Sequence, residues 1–299
     1  MNHGLSDLAS THYSKPEVIR EILTFSRDRW IAAYYTDGSF RRYGDSGSPL
    51  ILRDLKDFER LKVFKGAMLR SVYASARVYR KINVREDVYD DYNIVACTPS
   101  WDIDNVLSDW GTTIKAAEII VDFLRDMGVK ESIFVKWSGE GCHIHVHEKA
   151  LSREAASKFN PFDVAYAVVE YVILKTSSLL AELASSSPSL KVENLIDPQR
   201  VFTCPLSLHR TLDVVCVCIA PSALRYFNPS WINPTAFKHY DNWNSFKEGE
   251  LDQLAEKALA VVGPYPARRR RIRKHPPLDK QITDTLERLK NFKLSPRKL

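Results

Sequence analysis

The sequence predicts an α+β fold: an RRM-like (ferredoxin-like) sheet combined with an N-terminal αβ unit, plus a helical C-terminal extension. Three observations carry this. Between about residues 91 and 225, strand-like and helix-like hydrophobic patterns alternate in the order strand, helix, strand, strand, helix, strand. Two amphipathic stretches and a strand precede them, over about residues 1–90. An aromatic, Pro- and Asn-rich segment with one more helix fills 226–265, and a basic tail with an amphipathic stripe fills 266–299.

In chain order, residues 16–35 and 54–70 read as amphipathic helices, separated by the turn-forming stretch TDGSFRRYGDSGSP. SVYASARVYRKI and the β-branched, apolar YNIVACTPSWDIDN read as strands. In DWGTTIKAAEIIVDFLRDMGV, the residues Ile114, Ala117, Ile120, Val121 and Leu124 make one helical stripe that stops at Gly128. SIFVKWSGEGCHIHVHEKAL predicts two strands joined by a turn at 139–141. A long helix follows Pro161, with Asp163 in its first turn; SLKVEN and TLDVVCVCI supply further strands, and EGELDQLAEKALAVV another helix. No internal repeat is visible. A sheet of this order carries its helices on one side, which leaves the other face free for chemistry.

With 299 residues, 44% of them apolar and six of them tryptophan, the chain can bury one large core or two modest ones. It has no run of about 18 apolar residues, and its first residues lack the basic-then-apolar pattern of a secretion signal. The expectation is an intracellular protein with no membrane partner, cytoplasmic and nucleoid-associated if the source is prokaryotic. Five cysteines (Cys97, Cys142, Cys204, Cys216 and Cys218) without a C-x-x-C pair argue against a disulfide framework and a zinc ribbon. Cys216 and Cys218 lie on one face of an apolar strand and read as small core residues. The net charge of +6 is unevenly spread. Residues 268–299 hold 12 Lys and Arg against 3 Asp and Glu, a net of +9, so the remainder carries 31 minus 34, or −3. Such a basic tail suits a nucleic-acid backbone. Its stripe of Leu278, Ile282, Leu286 and Leu289 suits docking on the body or on a partner.

Two motifs carry chemistry. Asp102 and Asp104 in WDIDN lie two apart, so on a strand they share a face while Ile103 points the other way. Carboxylates held side by side repel each other unless a divalent cation sits between them, and oxygen ligands suit magnesium or manganese. In KWSGEGCHIHVHE, Gly139 and Gly141 let backbone N–H groups turn toward an anion, and Ser138 and His143 add side-chain donors. His145 shares the face of His143, and His147 reads as a strand-end surface residue. Downstream, VENLIDPQRVFTCPLSLHRT combines acids with His209 and Arg210. Carboxylates, phosphate donors and cations thus come from three segments.

Those segments resemble the archaeo-eukaryotic primase superfamily, the small catalytic primase subunits and primase-polymerases. Its acidic D-x-D, its Ser-Gly-x-x-Gly-x-His-x-x-Val pattern and its hydrophobic-Asp motif followed by Pro-x-Ser-Leu-His are matched by WDIDN, SGEGCHIHV and VENLID…CPLSLH. VYASARVY, at 72–79, resembles a fourth family segment, and the match spans about residues 70–219 in the family's order. The resemblance implies a DNA primase or primase-polymerase that uses two Mg²⁺ or Mn²⁺ ions, NTP or dNTP substrates and a single-stranded DNA template. A large primase subunit or a helicase is an admissible partner. Asp102 and Asp104 become metal ligands; Ser138, Gly139, Gly141, His143, His209, Arg210 and Thr211 become nucleotide contacts, and Arg77 lies near the site. The Ser-Gly motif is one residue short, which tightens the turn. The family position of the third acid falls on Lys191, leaving Glu193 and Asp197. Asp197 precedes Pro198 and so has a helix-capping job available, which favours Glu193. The zinc-binding insertion of replicative subunits is missing from the pattern, so no zinc is expected.

Two rival functions stay open. His-hydrophobic-His also occurs in HUH-type rolling-circle nicking endonucleases, with Tyr166 or Tyr171 on the next helix as nucleophile. The displaced third acid also suits a catalytically inactive, primase-like nucleic-acid-binding subunit. The aromatics of FNPSWINPTAFKHYDNWNSF read first as packing and second as a base-stacking surface.

Overall fold

The two helices expected near the N-terminus both end early, where strands begin. In this computed structural model, which describes residues 3–266, α1 (His3–His12) and α2 (Pro16–Ser26) are followed by β1 (Ile31–Tyr35) and the short β2 (Phe40–Arg41). The expectation of helix to residue 35 fails because IAAYY is apolar at every position and carries no period. Asp28, at φ 57°, turns the chain into the strand. Helix α3 (Leu55–Leu61) begins at an Asp54 cap, whose carboxylate accepts the Asp57 N–H at 3.0 Å. The pair Lys65 and Gly66, both at positive φ, ends the expected second helix and separates β3 (Val63–Phe64) from β4 (Ala67–Ser75).

The remaining elements are β5 (Arg77–Tyr79), β6 (Ile94–Cys97), β7 (Ser100–Asp104), α4 (Trp110–Asp126), β8 (Ile133–Ser138), β9 (Gly141–Val146), α5 (Arg153–Lys158), α6 (Pro161–Ser186), β10 (Lys191–Glu193), β11 (Val201–Thr203), β12 (Val217–Ile219) and α7 (Asp252–Val262). The single strand read across 92–105 splits at Pro99, which has no N–H to donate to a ladder. Its first half pairs with β5 and its second enters a different sheet.

All strand pairings among the described residues are antiparallel. One sheet has the order β11-β4-β1-β2 with β3 on β4, and the other β10-β7-β9-β8-β12. In the second sheet Trp101, Ile103, Cys142, Ile144, Val135 and Trp137 are buried on the helix-covered side. There the Trp101 indole N–H donates to the Val169 carbonyl of α6 at 3.1 Å. α6 is long and apolar enough, by length and composition, to cross a membrane; here it packs against α4, α7 and the strands.

The opposite face is not wholly free. Phe134, Lys136 and His145 lie on it, and all three are buried beneath Phe25 of α2, Phe202 of β11 and Trp243. Lys136 donates to the Thr203 carbonyl at 2.7 Å. Apolar closure between the two sheets therefore covers that part of the face, while Asp104, Lys191 and Glu193 at the β7–β10 edge stay exposed. The 226–265 segment folds back on the body through packed aromatics: Phe227 stacks on Trp137 at 4.3 Å, and Trp243 donates to Glu21 at 2.5 Å. The basic tail and its apolar stripe, from 267 onward, lie outside the described residues.

A buried ion pair ties the sheets together. Arg29, just before β1, meets Glu148, just after β9, at 2.8 Å, and also donates to Thr98 and to the carbonyls of Ser75 and Ala76. Burial alone raises the Glu148 carboxyl, but Arg29 and His147 outweigh it and bring it down to about 2. Glu148→Ala leaves Arg29 buried without its counter-charge, and is expected to cost about 3 kcal/mol in urea unfolding at neutral pH. A carboxyl depressed from 4.5 stabilises the fold above that pH and loses its contribution as pH falls toward about 2. The wild-type advantage over the variant should shrink across that window.

Candidate active site

Strand β7 lies between β9 and β10, and its register decides which side chains meet. Asp102 is paired with His143 on one side and Glu193 on the other, while Asp104 is paired with Lys191. Residues directly opposite in an antiparallel ladder share a face, so Asp102, Asp104, Glu193, His143 and Lys191 lie on one face of the sheet, at the corner where β9, β7 and β10 run side by side. Asp102 is buried at 6% exposure, whereas Asp104 and Glu193 are exposed.

Asp102 is held from two sides. His143 Nε2 lies 3.1 Å from its Oδ1, and the Arg200 guanidinium donates to its Oδ2. Burial pushes the Asp102 carboxyl up, but His143 and Arg200 outweigh burial and hold it below the ordinary aspartate value. Asp104 moves the other way, raised by burial and by the negative charges of Asp102 and Glu193. Two carboxylates on one face of β7 are thus shifted in opposite directions, Asp102 held down and Asp104 pushed up.

Strands β8 and β9 join through a two-residue loop, with Ser138 facing Gly141. Gly139 sits at φ 84°, the conformation that a tight hairpin loop demands of its first residue. The shortened Ser-Gly motif therefore makes the tight turn expected of it. A Cβ on Gly139 would come within 2.9 Å of the His209 ring, and one on Gly141 within 2.2 Å of the Ile103 carbonyl oxygen. These glycines let His209 pack on the turn and let the turn press on β7. The Ser138 hydroxyl donates to Thr203 Oγ1 at 3.1 Å.

His209 Nδ1 accepts the Leu212 N–H at 3.0 Å, so in the neutral ring the proton sits on Nε2, toward the turn. Burial first, then Arg210 and Arg70, lower its pKa to about 4. At neutral pH it offers an uncharged N–H. Arg70 holds the segment in place by donating to the carbonyls of His209 and Leu212 and to Asp213. Arg210 and Thr211 are exposed beside it.

Other candidates lie apart. Arg77 stacks on Phe162 at 4.0 Å and pairs with Asp91 at 3.3 Å, contacts that include no member of the carboxylate cluster. Asp197 accepts the Gln199 N–H at 2.7 Å in a turn, so it caps that turn rather than a helix. His147 is not a surface residue: it is 2% exposed, stacks on Phe246 at 4.7 Å and meets Asn244 Oδ1 at 3.0 Å, because residues 243–246 cover the strand end. His145 shares the face of His143 but is sealed among Phe25, Phe134 and Phe202, with Ser100 Oγ 2.6 Å from its Nδ1. Tyr166 and Tyr171 lie on α6, on the side of the sheet away from His143, against Tyr265 and Phe123. Sequence reading missed Arg200, Arg70 and Thr203. Arg200 lies three residues beyond the Asp197–Pro198 turn signal that was read for a cap.

The donor chemistry at the corner fits a hard divalent cation: three carboxylates on one face of adjacent strands, two of them exposed. As the side chains stand, no three His, Cys, Asp or Glu among the described residues converge to hold one. Asp102 already has both oxygens engaged.

The glycine geometry sets a graded expectation. Gly141→Ala should lower stability by roughly 3 kcal/mol because the methyl meets a backbone carbonyl. Gly139→Ala should cost about 1–2 kcal/mol for its positive φ and displace His209. Gly111→Ala, where the added methyl meets nothing, should be neutral or stabilising. Thermal unfolding of the three variants checks the order.

No family model and no curated protein matches this chain. Among solved structures it is similar to the polymerase domain from Mycobacterium tuberculosis Ligase D in complex with DNA. The identity is 13% and the TM-score 0.51, over 87% of this chain and 90% of that one. The likeness is one of fold, and the fold it points to is that of a polymerase domain.

Proposed function

We propose that this protein is a primase-polymerase that transfers nucleotides to a growing strand under the direction of a single-stranded DNA template. The observation that carries the reading is the placement of Asp102, Asp104, Glu193 and His143 on one face of three adjacent strands, beside the Ser138–Gly141 turn. The strand order β10-β7-β9-β8 around helices α4 and α6 supports an RRM-like reading of that sheet. The neighbour of similar fold is a polymerase domain in complex with DNA, which supports DNA as the partner.

Asp102, Asp104 and Glu193 would hold Mg²⁺ or Mn²⁺, which when bound supplies charge neutralisation and activates a 3′-hydroxyl. The chain's own groups do the positioning. Ser138, the backbone N–H groups of the Gly139–Gly141 turn and the uncharged His209 N–H donate to phosphate oxygens of an incoming NTP or dNTP. Arg210 and Thr211, at the exposed edge, reach the same phosphates. His143 donates to Asp102 and keeps that carboxylate ionised and oriented.

A non-catalytic reading draws on Arg200, which places positive charge on Asp102, and on Lys191, which stands opposite Asp104 in the ladder. Primer synthesis and extension on single-stranded DNA with Mg²⁺ or Mn²⁺ separate the two. Asp102→Asn, Asp104→Asn and Glu193→Gln should each lower incorporation by at least about 10²-fold, while Asp197→Asn should leave it near wild type. DNA binding without incorporation of any nucleotide would favour the non-catalytic subunit. Loss with Asp197→Asn but not with Glu193→Gln would move the third ligand.

A further inference from the structure

Arg200 has no place in the site as read from the sequence, yet it contacts the central carboxylate directly. Its guanidinium donates to Asp102 Oδ2, its side chain is 25% exposed against 8% for Asp102, and it lies 5.2 Å from the Phe202 ring. Its Nε is buried without a partner. It extends from a turn outside the regular strands, where its backbone N–H meets the Asp197 carbonyl at 3.1 Å. Its carbonyl accepts the Ala76 N–H at 2.9 Å, one step beyond the β11–β4 ladder, so its backbone is held while its side chain reaches across to Asp102. The same Asp102 is one of two carboxylates, with Asp104 two residues along the same face of β7, that a divalent ion would share.

We infer that Arg200 is the resident cation of the acidic corner in the nucleotide-free protein, and that a divalent ion and a nucleoside triphosphate together displace it from Asp102. The inference rests on the primase-polymerase reading. The physical argument is competition for one carboxylate. A guanidinium on Asp102 satisfies the charge that would otherwise attract the ion, so the ion alone binds weakly. Released, the guanidinium needs an anionic partner, and the triphosphate at the neighbouring Ser138–Gly141 turn supplies one with forked geometry. Metal and nucleotide therefore bind with positive coupling, and by linkage each raises the affinity of the other by the same factor. An ion is then held at the corner chiefly when a nucleotide is present.

The test is Mn²⁺ binding followed by electron paramagnetic resonance, with and without a nucleoside triphosphate whose α–β bridge cannot be cleaved. Wild type, Arg200→Met, Arg200→Lys and Asp102→Asn are compared, with circular dichroism to verify folding. Arg200→Met is expected to bind Mn²⁺ alone roughly 10-fold more tightly than wild type, and to lose most of the gain that the triphosphate gives wild type. Arg200→Lys should restore weak binding of the ion alone. A merely structural role for Arg200 predicts equal or weaker binding in Arg200→Met, and that result overturns the inference. If wild type binds Mn²⁺ in a manner lost in Asp102→Asn, the primase-polymerase site survives even when the inference falls. If no variant binds Mn²⁺ with or without nucleotide, both fall together.

Discussion

An antiparallel ladder allows no choice about which side chains face each other, and the corner where β7 runs between β9 and β10 depends on that constraint. A slip of one residue on either side would send Glu193 or His143 to the helix-covered face. The register is held by what lies opposite. Trp101 and Ile103 are fully buried beneath the helices, and the Trp101 indole is hydrogen-bonded to α6. Asn194, next to Glu193, donates to the Tyr166 carbonyl and to Glu170 of the same helix. Each acid faces the corner because its neighbour is anchored in the core.

The electrostatics follow from that geometry. Three carboxylates share one face, and their compensation is uneven: Asp102 has His143 and Arg200 in contact, while the Asp104 carboxyl is raised by burial and by its acidic neighbours. The side formed by the Ser138–Gly141 turn is built differently. His209 is kept uncharged by burial and by two nearby arginines, so it contributes a directed N–H while the exposed Arg210 contributes charge.

Much of the site was legible because its motifs are local. Period two puts Asp102 and Asp104 on one face whatever the tertiary structure, and a two-residue glycine loop between strands makes its turn without outside help. The choice of Glu193 over Asp197 used a capping argument, and the structure gives Asp197 a capping contact, though in a turn. Arg200 was not legible, because its contact with Asp102 spans 98 residues and follows no periodicity. Arg77 was carried by resemblance, and its contacts lie with Phe162 and Asp91. The fold was read well in the strand–helix alternation after residue 91 and poorly before it. Short strands buried on both faces, such as IAAYY, show no alternation and merge with the helix before them. The sealing of His145 and His147 was hidden for the same reason, since the covering residues come from distant segments.

The central claim is that the acidic corner and the Ser138–Gly141 turn hold one metal-bound nucleotide between them. Crystals soaked with Mn²⁺ and a non-cleavable nucleoside triphosphate test it most directly through anomalous scattering of manganese. The account predicts manganese among Asp102, Asp104 and Glu193, with the phosphates against Ser138, the turn and His209. Manganese and triphosphate bound at separate places, or phosphates lying away from the turn, would contradict it.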